Sequence, residues 1–279
     1  MKIKYLGTAA AEGIPAMWCN CDFCNYARKV KGKDFRARTQ AIVDGDLLID
    51  MNADTYINSV RFGVDLSAIK NILITHSHID HCVPFDLAMR GEGYAKDVKE
   101  KDICIYGSRY VKEKYDRLME GCIDKVTASH IGFCVTEAFK EYNVGDYTVT
   151  PLPAEHTYPE TAFVYLIEKA GKSILYFNDT GRNVKETLDY LEKRKKPLSF
   201  IGFDGTYGTA EAGKYGGHMS LFDAAEVFEE MKKRGIADEN TKRCVTHFSH
   251  WNMLPQEEMQ ALADRFGFSV CYDGAEYDV

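Results

Sequence analysis

Apolar residues fall in short blocks of strand length along most of the chain, each ending in polar residues or a turn. Met1-Lys2-Ile3-Lys4-Tyr5-Leu6 alternates with period two, the pattern of a first strand. Thr39 to Val43 and Leu47 to Asp50 flank Asp44-Gly45-Asp46 and predict a hairpin. Further blocks predict strands at Asn71 to Ile74, Tyr147 to Leu152, Ala162 to Glu168, Ser173 to Phe177, Leu198 to Phe203 and Arg243 to Thr246. Helical spacing appears in three places. Cys82 to Arg90 has a proline in its first turn, and Ser108 through Glu120 carries Lys112, Lys114 and Arg117 on what reads as a solvated face. Ser220 to Arg234 opens with Ser220 as N-cap and Asp223 as the partner of a weak capping box. The chain of 279 residues has no Pro/Gly/Ser-rich linker and no charge block. Residues 1–279 therefore read as one domain, for which a two-sheet sandwich with helices on both outer faces is a suitable size.

Chemistry enters at Thr75-His76-Ser77-His78-Ile79-Asp80-His81. Three of the eight histidines sit there with an aspartate between them, directly after the run ending at Ile74. A lone histidine is usually a core or surface residue. Polar side chains this dense at the end of a buried strand are costly to desolvate unless a cation compensates. The spacing H-x-H-x-D-H is a longer match than H-x-H alone, and favours metal over a solvated loop.

A second cluster lies upstream, Cys19, Cys21 and Cys24, at C-x-C-x-x-C spacing. Chance or a redox pair is compatible with it, but three thiols this close usually form a zinc knuckle that lacks its fourth ligand. His250, three residues beyond His247, is the candidate for that ligand. Nine cysteines in a chain that starts with a strand rather than an export signal read as thiols or metal ligands.

The H-x-H-x-D-H stretch resembles the signature of the metallo-β-lactamase superfamily, whose fold is an α/β, four-layer αββα sandwich with one or two metals at its open edge. The resemblance asks for a His, an Asp and a last His, each after a later strand, and His156, Asp179 and His247 stand in those places. It implies that His76, His78 and His156 bind one cation and that Asp80, His81 and His247 bind another, with Asp179 bridging. Zinc, manganese and iron all suit such a ligand set. The loop Gly7 to Pro15 followed by C-x-C-x-x-C is similar to the phosphoribosyl cyclic phosphate phosphodiesterases of the carbon–phosphorus lyase pathway. It is similar also to the B-type proteins of pyrroloquinoline quinone biosynthesis. In the former, a T-H-x-x-H motif, here Thr246-His247-Phe248-Ser249-His250, gives its last His to a structural zinc with the three cysteines.

The same resemblance puts Asp50 behind the metal loop as an orienting group. It has glycine where this chain has Asn52, a residue that tolerates a left-handed backbone. It places a substrate-reaching histidine at Gly216-Gly217-His218-Met219. Asp204, Tyr207 and Tyr215 line the pocket or pack against it. The implied activity is hydrolysis of a small, cyclic or unhindered phosphodiester by a hydroxide held between the two metals, with Asp80 and His218 as catalytic residues. Cys82 reads as a small buried thiol and His130 as structural or surface.

Charge narrows the partners. A net charge of −7 leaves no basic stripe for an extended nucleic-acid surface. No apolar run approaches bilayer length. The expectation is a cytoplasmic protein with a small phosphodiester as its partner and no membrane; a homodimer is compatible with the sequence. A flavodiiron protein would carry Glu in place of His78, a tRNA-processing ribonuclease would need a basic arm, and thioester and β-lactam hydrolases lack the cysteine knuckle. The quinone-biosynthesis relative keeps the knuckle and is the nearest rival. A metal-bearing binding module is the alternative from outside enzymology.

Overall fold

Strands that are apolar on both faces need cover on both sides, and the chain supplies it with three separate cores. The computed structural model describes Met1–Val279. One seven-stranded sheet contains β1 (Lys2–Gly7), β2 (Gln40–Val43), β3 (Leu47–Ile49), β4 (Asn71–Leu73), β5 (Ile103–Gly107) and β6 (Ile131–Val135) in that spatial order. The other contains β7 (Tyr142–Val144), β8 (Tyr147–Pro153), β9 (Phe163–Lys169), β10 (Lys172–Phe177), β11 (Phe200–Asp204), β12 (Lys242–Thr246) and β13 (Ser269–Val270). The last strand, β14 (Glu276–Asp278), returns to the first sheet and pairs antiparallel with β1.

Period-two alternation divides the side chains between the cores. Ile174 and Tyr176 of β10 point between the sheets, where they join Tyr5, Val43, Leu47, Tyr165 and Phe200. Leu175 and Phe177 point the other way, into a core shared with three helices, α5 (Lys185–Lys193), α6 (Leu221–Lys233) and α7 (Gln256–Ala263). The outer face of the first sheet buries Leu6, Ile42, Leu48 and Ile72 against Val111 and Met119 of α3 (Arg109–Met119). The remaining helices are α1 (Asp22–Val30), α2 (Thr55–Phe62) and the short α4 (Lys125–Ser129). Helix, sheet, sheet, helix: this is the four-layer αββα sandwich that the resemblance implies.

The hairpin, the main strands and the helices at 109–119 and 221–233 fall where the sequence pattern puts them, and both sides of the Ser220–Asp223 capping box form. Two readings of local backbone need correction. Pro84–Arg90 is a 3₁₀ helix, not an α-helix beginning at Cys82. The left-handed backbone near the metal loop belongs to Asp50 (φ 63°), not to Asn52. The Asn52 amide instead donates to the carbonyls of Thr39 (2.7 Å) and Asp80 (3.0 Å), a tether that glycine would lack.

Parallel pairing in β3–β6 and in β10–β13 points the C-terminal ends of these strands to one edge of the sandwich. Ligand sites in α/β folds form beyond such ends. Gly7 lets the first loop reach that edge: a Cβ there would lie 1.9 Å from the Arg38 carbonyl oxygen. Buried Arg36 pins the loop from behind, donating to Thr8 Oγ1 (2.8 Å) and to the Cys271 carbonyl (2.5 Å). No helix is long and apolar enough to cross a membrane.

Candidate metal centre

Each predicted ligand leaves the end of a strand. His76, His78, Asp80 and His81 follow β4, His156 follows β8, Asp179 follows β10 and His247 follows β12. Asp179 (φ 51°) and His247 (φ 61°) adopt left-handed backbone like Asp50. For non-glycine residues this conformation is costly and concentrates where side chains must be aimed.

The ligand atoms gather in two adjoining sets. His76, His78 and His156 form one, and Asp80, His81, Asp179 and His247 form the other, with all potential ligand atoms in each set within 4.8 Å of one another. Asp179 belongs to the second and turns its other oxygen toward the first. Its Oδ1 lies 3.7 Å from His156 Nε2, while its Oδ2 lies 3.3 Å from His81 Nε2 and 3.1 Å from His247 Nε2. His78 Nδ1 faces His156 Nε2 at 3.1 Å.

Three of the histidine rings are turned by a bond on the far side. His81 Nδ1 donates to Asp50 (2.8 Å), His156 Nδ1 to the Gly217 carbonyl (3.1 Å) and His247 Nδ1 to Thr206 Oγ1 (2.8 Å). Asp50 also accepts the Thr75 backbone N–H at 2.8 Å, so one buried carboxylate holds both the end of β4 and a ligand ring.

What remains inside is a set of orphans. His76 Nε2, His81 Nε2, His247 Nε2 and Asp179 Oδ2 are buried without a hydrogen-bond partner. His81 Nε2 approaches Asp80 and Asp179 within salt-bridge distance, yet not in hydrogen-bond geometry. Converging buried lone pairs of this kind fit a divalent cation with N and O ligands. Electrostatics agree. Burial disfavours charge on His81, but Asp179, Asp80 and Asp50 overcome it and raise its pKa well above the usual imidazole range. Burial likewise opposes charge on His247, and Asp179 and Asp80 nonetheless raise it to about 9. The carboxylates that stabilise protons there would stabilise metal charge in their place.

His218 stands beside this centre. Its Nδ1 donates to Asp204 Oδ2 at 2.8 Å, and its ring lies 4.7 Å from that of His156, centroid to centroid. Asp204, Asp179, His218 and His247 also lie close enough to hold an ion. The short His218–Asp204 bond uses that pair internally and leaves Nε2 as the ring atom for a substrate. Asp204 further accepts the backbone N–H groups of Thr206 (2.9 Å) and Met219 (3.1 Å), which fixes its position. Burial lowers the His218 pKa, but the Asp204 charge outweighs it and the net direction is upward.

Cys19, Cys21, Cys24 and His250 come together from opposite ends of the chain, with Cys24 in the first turn of α1. His250 Nδ1 is 3.4 Å from Cys21 Sγ and 3.7 Å from Cys19 Sγ. Ligands on a tetrahedral zinc are ~3.5–3.8 Å apart, so the set fits a closed four-ligand ion. Burial raises the Cys24 thiol to about 12; burial opposes ionisation of Cys21 as well, but hydrogen bonds from Cys24, His250 and Cys19 lower it to about 6. Zinc uptake at pH 7 should therefore displace the Cys24 proton, and affinity should fall about tenfold per pH unit for each proton displaced as the solution is acidified. Calorimetry in buffers of different ionisation heat would count the protons. Cys24→Ser should lose this one zinc and lower Tm while the folded protein keeps its other ions; a fully stable variant that retains the zinc would exclude a structural role.

Sequence reasoning missed the residues that hold the His76–Ser77–His78 turn. Lys114 does not lie on a solvated face: its Nζ donates to the Ser77 carbonyl. Buried Glu160 accepts from the Ser77 backbone N–H (3.0 Å) and hydroxyl (2.5 Å). All three hydrogen-bonding groups of Ser77 are thus tied to distant segments. Neither partner carries a local signal, because separations of 37 and 83 residues follow no period. Glu160→Ala should weaken binding of the cation held by the three-histidine set about 10–100-fold, as loss of outer support does at other metal sites. Chelator competition would measure it, and unchanged retention would rule out the clamp. Two other readings stand as made: Cys82 is buried, and His130 is a surface residue paired with Asp102 at 2.8 Å.

Fold and site together define a class, an αββα sandwich with a His/Asp metal centre along one edge. Residues 48–248 match the family described as the Beta-lactamase superfamily domain, and the chain belongs to that family. A Coenzyme PQQ synthesis protein B of Methylobacterium radiotolerans is 24% identical over 318 residues, covering 98% of each chain. The solved structure of a new diphosphatase from the PhnP family superposes with a TM-score of 0.76 at 19% identity, over 100% of this chain and 97% of the other. Zn(2+)-bound PqqB from Methylobacterium extorquens superposes with a TM-score of 0.75 at 18% identity, over 100% of both chains.

Proposed function

We propose that this protein is a metal-dependent hydrolase of small phosphodiesters. The observation that carries the reading is Asp179, whose Oδ2 lies beside His81 and His247 while its Oδ1 turns toward His156 of the neighbouring three-histidine set; the two sets together offer more donors than one ion can use. His76, His78 and His156 would hold one cation, Asp80, His81 and His247 a second, with Asp179 between them. Zinc, manganese or iron in those places supplies a water acidic enough to react near neutral pH and offsets charge on a phosphate.

The chain's own residues do the rest. Asp50, Thr206 and the Gly217 carbonyl fix which ring nitrogen of His81, His247 and His156 faces inward. His218, whose pKa Asp204 raises against the opposing effect of burial, would deliver a proton to the departing oxygen. Phosphomonoesters should be poor substrates, since their second negative charge would be held in the ground state without a matching gain at the transition state.

A second reading follows the Coenzyme PQQ synthesis protein B relatives, which match over 98% of their length. One screen separates the two: cyclic nucleotides, ribose cyclic phosphates and bis(p-nitrophenyl) phosphate, each with zinc, manganese and iron. Turnover of at least one diester supports hydrolysis. No turnover of any with a full metal complement would discard the phosphodiesterase reading and leave the relatives' role as the better guide.

A further inference from the structure

The cavity in front of the ligands measures about 640 Å³, far more than a phosphodiester group alone would fill. Its outer wall is aromatic. Tyr207 and Tyr215 lie with ring centroids 4.9 Å apart, and the Trp251 indole lines the same space while remaining 67% exposed. The turn that presents Trp251 is pinned. The Asn252 carbonyl accepts from Thr209 N (3.0 Å) and Oγ1 (2.9 Å), and Gly208 packs so closely that a Cβ there would sit 2.4 Å from that carbonyl oxygen. On its other side Trp251 follows His250 of the cysteine cluster. An exposed indole on a backbone held at both ends is a stacking platform rather than a mobile surface residue.

Charge along the same wall is one-sided. No lysine or arginine lines the cavity, whereas Glu12 does, its carboxylate accepting from Ser249 Oγ at 2.5 Å. Three basic residues of neighbouring segments already have partners. Arg38 pairs with Asp54 at 2.9 Å, Arg182 with Asp223 at 3.2 Å and Glu226 at 2.5 Å, and Lys214 lies over the Tyr215 ring at 5.4 Å. A phosphate reaching past the metal ligands and His218 would meet a carboxylate and aromatic faces, with no lysine or arginine to replace its water.

We propose that the site selects a phosphodiester of single negative charge that carries an uncharged planar group, a nucleobase or comparable ring, stacked on Trp251. A substrate bearing a further phosphate on that group is selected against. This rests on the phosphodiesterase reading above, with the single diester at the metal centre and the planar group on the aromatic wall.

Three probes with the same leaving group test it: methyl p-nitrophenyl phosphate, thymidine 5′-(p-nitrophenyl phosphate), and the latter phosphorylated at its 3′-oxygen. The thymidine ester should exceed the methyl ester in kcat/KM by about tenfold, the usual effect of one base stacked on an aromatic side chain. The 3′-phosphate should remove that advantage. Trp251→Ala should raise KM for the thymidine ester about tenfold and leave the methyl ester within roughly twofold, while Trp251→Phe restores most of the difference. Binding gives a readout independent of turnover. The chain has two tryptophans, so in the metal-free Trp18→Phe protein Trp251 emits alone and should be quenched by the methyl ester of thymidine 5′-phosphate. Equal kcat/KM for the methyl and thymidine esters, or a 3′-phosphorylated ester that matches or exceeds its parent, would overturn the subsite while leaving the phosphodiesterase reading intact. No turnover of any probe with metals loaded would overturn both.

Discussion

Asp179→Ala should bind at least one fewer ion at the His/Asp centre and lose hydrolytic activity by more than the roughly 100-fold that loss of a ligand's supporting group costs. The physical reason is double duty. Asp179 is buried, its Oδ1 faces the three-histidine set and its Oδ2 lies near both His81 and His247. Removing it takes a negative charge from between five imidazoles, so both sets lose the carboxylate that offsets cationic charge. Metal analysis of the purified variant, with the Cys19/Cys21/Cys24/His250 zinc as an internal count, separates loss of a catalytic ion from unfolding. Retention of both ions would end the bridging assignment. Asp179→Asn keeps the shape and lowers the charge, and should fall between the parent and Asp179→Ala in ion retention.

His218→Ala should lower kcat about 10²–10⁴-fold with metal content unchanged, the range for removal of a general acid. The loss should shrink for p-nitrophenolate, a leaving group that scarcely needs a proton. Equal losses for activated and unactivated esters would remove His218 from the acid role. The pH profile gives a second check. Asp204 raises the His218 pKa against the opposing effect of burial. The protonated form is the acid, so activity persists below that pKa and declines as pH rises through it. Asp204→Asn should therefore shift the alkaline decline to lower pH. A decline that stays in place in Asp204→Asn would assign it to another group.

The candidate ligands were legible because they are local. His76, His78, Asp80 and His81 occupy six residues, and each of the other three ligands follows a recognisable strand. The groups that orient them were legible only in part. Asp50 stands at a strand end and can be read from position. Thr206, the Gly217 carbonyl, Lys114 and Glu160 reach their partners across separations that no periodicity encodes. The 3₁₀ helix at Pro84–Arg90 escaped for a related reason, since its apolar spacing suits an α-helix and packing of Leu87 into the outer core accompanies a different geometry.

Taken alone, the sequence determined most strand positions, through apolar blocks of strand length, and the candidate metal ligands, through residue types clustered at strand ends; the αββα layering was implied by the resemblance those motifs carry. Only the tertiary structure decided how the candidate ligands group, with His76, His78 and His156 in one set and Asp80, His81, Asp179 and His247 in the other. It alone brought Cys19, Cys21 and Cys24 to His250, joined His218 to Asp204, and set Trp251 beside a cavity lined by no lysine or arginine. Strand pattern and ligand type are local properties of the chain, whereas the direction of a buried lone pair is fixed by whatever packs behind it.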